Sequence, residues 1–290
     1  MKINMAWRSY FTQQLSFLFF MPAVIWPIIF LYIPLCNMML ISFVDHGWSL
    51  SLLGKYAQLL DWTHMRIILR SLLLGLCAAC TCLLCAYPTA YFIAIRVQKW
   101  KHILLFLLMI PLWTNFLIQV YGWQFIIARH GLINGILQKL YIISEPLALS
   151  HTIYTVFIVM VYCYIPFMFM PLYSALASFD TKLLEASADL GASPFKTFLR
   201  VTLPLSMSGI RTGMLLTFVL GFGELAIPAL IGGGKYMTVG MLISYYFLIV
   251  GDNALGAAFT CLSGVFLLVT ASMLYMCFNR WCRKYAGLEL

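Results

Sequence analysis

The chain has 290 residues, of which 63% are hydrophobic and 9% charged, and its mean hydropathy is +0.95. No water-soluble domain of that size could cover its surface with so few polar groups. The formal net charge of +9 comes from basic residues dispersed along the chain without a block, which excludes a nucleic-acid footprint.

Several apolar stretches exceed the roughly 20 helical residues needed to cross a bilayer core. Six spans are expected, at about Leu15–Phe43, Ile67–Ile95, His102–Ala128, Ser150–Ala177, Leu205–Leu230 and Ala254–Phe278. Membrane-barrel strands would show alternating segments of about ten residues, and none occur. The expected fold class is therefore an all-α polytopic membrane protein. The first span is too long for a cleaved signal core, and no small-x-small site follows it. Its Pro22, Pro27 and Pro34 read as kinks that neighbouring helices make tolerable. With the N-terminus inside, twelve basic residues fall on inner segments and six on outer ones, which predicts cytoplasmic termini. The predicted organisation is 1–66 (N-terminal segment, first span and outer loop), 67–279 (a core of five spans with a cytoplasmic loop at about 178–204) and a tail, 280–290.

In the second span, Cys77, Cys80, Cys82 and Cys85 invite a metal reading. On a helix, however, Cys82 points away from the face shared by the other three, and no His or carboxylate completes a site. They read as small packing residues. None of the nine cysteines lies in a predicted outer loop, so no disulfide framework is expected. The stretch Gly232-Gly233-Gly234-Lys235-Tyr236 is not a phosphate loop, because Ala229 and Tyr236 stand where Gly and Ser or Thr are required. The five histidines are scattered, with no HExxH pair and no Gly-x-Ser-x-Gly elbow. No enzyme is expected, and no catalytic residue, metal or cofactor is assigned to this chain.

One polar island interrupts the apolar runs. Asp180 or Thr181 is placed to cap a short helix that ends at a left-handed Gly191. Ser193 caps a second helix with Pro194 at its first position, and Pro204 marks entry to the fifth span. Glu185 and Asp189 stack four residues apart, a like-charge pair that a basic partner would relieve. A solvated loop would satisfy the same local facts.

The spacing is more specific. Glu185-Ala186-Ser187, then Gly191, then nine residues before Val201-Thr202-Leu203-Pro204 resembles the signature of permease subunits of binding-protein-dependent ABC importers, with Ser187 and Val201 in place of Ala and Ile. That resemblance implies the type I permease fold and a coupling-helix pair that docks on a separate ATPase. Glu185, Ala186, Ser187, Asp189, Gly191, Leu203 and Pro204 would be the coupling residues. It also implies two ATP-binding subunits that carry the ATP and Mg, a homologous sister permease, a periplasmic or extracellular substrate-binding protein, and a place in the bacterial cytoplasmic (inner) membrane. Within the family the chain resembles the polyamine (spermidine/putrescine) permeases, through Pro111-Leu112-Trp113-Thr114-Asn115, Gly131-Leu132-Ile133-Asn134 and Ile165-Pro166-Phe167-Met168-Phe169-Met170-Pro171-Leu172-Tyr173. Gly221-Phe222-Gly223-Glu224-Leu225-Ala226-Ile227-Pro228, followed by Gly232-Gly233, is similar to the putrescine-type subunit.

Of nine acidic residues, only Glu224 falls inside a predicted span, where such a group usually faces a cavity or a partner. Asn115, Gln119 and Trp123, spaced by four, are expected on one face of the third span. Carboxylate, amides and an aromatic ring together suit an extended ammonium ligand. The alternatives are that the amides tie helices together and that Glu224 pairs with the sister subunit. Other small solutes remain open as cargo. An ion-coupled secondary transporter would need intramembrane charges in both halves, and a non-transporting scaffold would make the coupling spacing a coincidence.

Overall fold

A computed structural model describes residues 21–43, 52–97 and 99–286. The expected N-terminal segment and the start of the first span lie outside the described residues, as do 44–51 and the end of the tail, 287–290. The described residues form helices and no strand, joined by turns and by one longer irregular stretch at 140–152.

The chain divides into two compact units. The first contains the described residues up to Leu60 together with Tyr246–Leu262. Here α1 (Met21–Phe43) is joined to α2 (Leu52–Leu59) by Ser42, which is buried, donates to the Met39 carbonyl at 2.6 Å and accepts from the Tyr56 hydroxyl at 3.2 Å. Tyr246 and Phe259 meet edge to face at 6.1 Å, and the absent side chain of Gly256 leaves room for the Phe247 ring.

The second unit runs from Asp61 to Tyr245 and resumes at Ser263. It contains α3 (Trp62–Arg96), α4 (Lys101–Trp113), α5 (Phe116–Ile127), α6 (Leu132–Lys139), α7 (Ile153–Ser178), α8 (Lys182–Asp189), α9 (Pro194–Leu205), α10 (Met207–Phe222) and α11 (Ala226–Leu230). Helices α12 (Val239–Val250) and α13 (Asn253–Ala286) each run from one unit into the other. Asp61 caps α3 by accepting from the Thr63 amide, and that bond, first among its surroundings, lowers its carboxyl below the ordinary 3.8.

The core of this unit is α3, α7 and α10 packed pairwise. In lipid, helices gain little from hiding apolar surface against one another, so close backbone approach must supply the contact. The sequence provides small residues for it. Along α3 the buried stripe is Ser71, Gly75, Ala78, Ala79, Cys82, Ala86 and Ala90. Along α10 it is Gly209, Gly213, Thr217 and Gly221, spaced by four. A Cβ on Gly221 would stand 2.9 Å from the Gly75 Cα, and one on Gly209 would stand 2.6 Å from the Pro171 carbonyl oxygen on α7. Met160, Met168, Phe169, Leu172 and Phe218 fill the space between the three axes. Cys82 lies in this seam and donates to the Val161 carbonyl at 3.5 Å, while Cys77, Cys80 and Cys85 are exposed on the other side of α3.

Among the described residues, four helices are individually long and apolar enough to cross a membrane, and up to six spans result if each of two bent pairs is one span. The third span, expected as one continuous helix, breaks after Trp113, and the stretch Phe116–Lys139 turns by 92° from α4. The 65° bend between α9 and α10 falls at the expected entry to the fifth span, which stops at Phe222, short of the expected Leu230. Leu84, Trp113 and Phe125 are more than 70% exposed, apolar surface that suits lipid or a partner chain rather than water.

Candidate functional site

The polar island folds as two short helices at an angle. Asp180, rather than Thr181, supplies the cap of α8, its Oδ1 accepting from the Lys182 amide at 3.0 Å. Gly191 takes φ +74°. The Ala192 amide then reaches the Ser187 carbonyl at 3.1 Å and the Gly191 amide reaches that of Ala188 at 2.9 Å, a Schellman stop that satisfies the last carbonyls of α8. Pro194 opens α9 behind the Ser193 cap, whose oxygen accepts from Lys196 at 3.4 Å. The Ser187 that departs from the family signature has a partner: its hydroxyl bonds to that of Thr197 and pins α8 to α9. Glu185, Ala186 and Asp189 are exposed, as are Leu190 and Phe195, so an acidic and apolar face stands free for a docking partner.

This pair is attached to the core through α3. Tyr87 packs edge to face on Phe198 of α9 at 5.5 Å, and its hydroxyl bonds to Ser206 at 2.9 Å. Ser206 is fully buried and stands at the α9–α10 bend, where it also donates to the Leu203 carbonyl at 3.1 Å. Leu203 and Pro204 are half-buried in the last turn of α9. A cavity of about 440 Å³ separates the C-terminal end of α3, at Tyr91 and Arg96, from Leu184 and Glu185 of α8. Movement of α8 and α9 therefore meets the core at Tyr87 and at the Ser206 bend. Sequence reasoning passed over both residues. The signal available was a tyrosine and a serine in apolar runs, hydroxyls that must find partners.

Glu224 lies in the break between α10 and α11 rather than inside a continuous span. Its Oε1 accepts from the amides of Ala226 at 2.8 Å and Ile227 at 3.1 Å, which caps α11. Its Oε2 accepts from the Tyr164 hydroxyl of α7, and its backbone carbonyl accepts from Thr238 at 3.0 Å. The half-buried carboxylate is thus stabilised by helix-start amides and one phenol, with no cation against it among the described residues. Tyr164 is the partner the sequence reading missed. A buried tyrosine needs an acceptor, and Glu224 was the one acid predicted to lie within a span.

The third-span residues share a face of α5, which begins at the joint, with Asn115 at its start and Gln119 and Trp123 following at spacings of four. Asn115 is the N-cap of α5, its Oδ1 accepting from Leu117 at 2.9 Å and Ile118 at 3.4 Å. Gln119 donates back to the carbonyls of Pro111 at 2.5 Å and Thr114 at 3.3 Å. Both amides satisfy the ends that the break exposes, the condition for non-helical backbone at membrane depth. Trp123, half-buried one turn further on, meets Tyr162 edge to face at 5.4 Å. Helix α11 packs on α5 and α7, but no hydrogen bond joins Glu224 to Asn115 or Gln119 among the described residues.

The chain is 38% identical over 258 residues to the spermidine/putrescine transport system permease protein PotB of Escherichia coli (strain K12), covering 84% of this chain and 92% of that one. It is 36% identical over 238 residues to the protein of the same name from Haemophilus influenzae, covering 80% and 83%. Among solved structures it resembles a chain of the bacterial alginate ABC transporter in complex with its alginate pentasaccharide-bound periplasmic protein. The TM-score is 0.74 at 16% identity, over 98% of this chain and 99% of that one, and this likeness shows the type I importer permease fold. The model of the family described as binding-protein-dependent transport system inner membrane component matches residues 86–284. The coupling-helix spacing, the fold and these matches agree, and the chain belongs to that family of inner membrane permease components.

Proposed function

We propose that this chain is the permease subunit of an ATP-driven importer for polyamines, putrescine or spermidine, with both termini and the coupling helices on the cytoplasmic side. Two ATPase subunits close on ATP and Mg, push on α8 and α9, and switch a cavity formed with a sister permease from an outer binding protein to the cytoplasm. The substrate cannot drive that switch unless it binds the two states differently, whereas ATP-driven closure can. The observation that carries the reading is the coupling pair: Glu185 and Asp189 on an exposed helix stopped by Gly191 and tied by Tyr87 and Ser206 to the core.

Cargo selection rests on Glu224 in this proposal. Its carboxylate is held at a helix break by two amides and Tyr164, half-exposed and without a cation among the described residues. An ammonium group would pair with that charge and pass the ring of Trp123. Asn115 and Gln119 keep the adjacent break open to it. The kinship with PotB, named for spermidine and putrescine, supports this cargo.

The test is reconstitution with the ATPase, the sister permease and the binding protein, reading ATP hydrolysis and uptake with and without polyamine. Glu185→Lys should uncouple hydrolysis from substrate. Glu224→Gln keeps a capping oxygen but removes the charge, so uptake should fall while expression stays normal. Hydrolysis indifferent to this subunit would refute the importer reading, and unchanged uptake by Glu224→Gln would take that residue out of the pathway.

A further inference from the structure

At the end of α3 remote from the coupling helices, a groove of about 660 Å³ runs between α3 and α7. Leu69, Leu73, Cys77 and Phe157 line its length. Arg66 and Arg70, one helical turn apart, stand at its mouth. Tyr154 in the first turn of α7 and Tyr236 complete that rim, with Tyr154 78% exposed. No acidic side chain pairs with either arginine among the described residues, and Arg66 is held only over the Trp62 ring, at 5.6 Å.

Cations, phenols and an indole at one end of an apolar slot match the order of a membrane interface, headgroup level above and acyl chain below. The length agrees as well. From Arg66 to Cys77 the helix rises about 17 Å, close to one leaflet of a hydrocarbon core about 30 Å thick. Two guanidinium groups at the rim without a carboxylate favour a negatively charged headgroup over a zwitterionic one. A polyamine would be repelled there, so the groove is distinct from the cation site proposed at Glu224.

We propose that this groove is a binding site for an anionic phospholipid, with the phosphate on Arg66 and Arg70 and one acyl chain along Leu69, Leu73 and Phe157. The site ties α3 to α7 at the end where α10 no longer spaces them, and it makes the packing of the core depend on lipid charge.

The experiment is native mass spectrometry of the full chain in detergent, titrated with phosphatidylglycerol and phosphatidylcholine of identical acyl chains. Phosphatidylglycerol should bind on the order of 10- to 30-fold more tightly. Arg66→Gln with Arg70→Gln should abolish that preference while leaving thermal unfolding in phosphatidylcholine unchanged. Leu73→Trp, which fills the slot, should weaken both lipids. Equal binding of the two lipids, a preference that survives loss of both arginines, or equally tight binding of glycerol phosphate alone would overturn the proposal. Release of the lipid on assembly with the other subunits would overturn it too, because a partner would then own the groove.

Discussion

Replacing Gly191 by Ala separates backbone conformation from space in the coupling helices. A Cβ built on Gly191 meets nothing within 4 Å, so a clash contributes nothing. The whole effect comes from φ +74°, a conformation that costs an L-residue roughly 1–2 kcal/mol. At about 1.4 kcal/mol per factor of ten, that lowers the population of the stopped geometry by about 5- to 30-fold. There is little reserve to absorb it. Helix α8 has eight residues, is largely exposed, and carries the like-charge pair Glu185 and Asp189. Loss of the stop releases the Ser187 and Ala188 carbonyls and turns α9 relative to α8. Gly191→Ala should therefore reduce substrate-stimulated ATP hydrolysis of the reconstituted importer several-fold at normal expression. Gly191→Asn should recover most of it, since Asn enters the left-handed region at lower cost. Full activity in Gly191→Ala, or equal damage from Ala and Asn, would refute the reasoning.

Four further substitutions test the core by thermal unfolding of the purified chain in detergent. Gly221→Ala places a methyl 2.9 Å from the Gly75 Cα and should cost about 1–3 kcal/mol, whereas Gly223→Ala, whose nearest neighbour would be at 3.9 Å, should be nearly neutral. Thr217 is fully buried with its hydroxyl unpartnered, so Thr217→Val should be neutral or stabilise by up to about 1 kcal/mol. Ser71→Ala should do the opposite and cost about 1–3 kcal/mol, because it orphans the buried Val239 amide that donates to Ser71 at 2.9 Å.

The ends of α8 and α9 were legible almost residue by residue. Capping and stopping are local chemistry: Ser193 before Pro194, and a glycine where the chain turns left, dictate the same geometry wherever they occur. Only the choice of Asp180 over Thr181 at the first cap needed coordinates. The third span reads as one continuous helix in the sequence because its hydropathy continues unbroken across residues 111–115. The break there depends on Gln119 reaching back to the Pro111 carbonyl and Asn115 capping forward, contacts that no hydropathy pattern reports.

Composition determined the solvent of this protein, and the resemblance of the 180–204 island to a family signature pointed to its kind of machine, since both rest on residues close in sequence. Which helices form the core depended on tertiary structure. The glycines of α10 face α3 and α7 at backbone distance, and that crossing depends on three segments fitting at once. The surroundings of Glu224 were decided there too. An isolated acid in an apolar run signals a partner but does not name it, and only the fold brings Tyr164, sixty residues earlier in the chain, to its carboxylate.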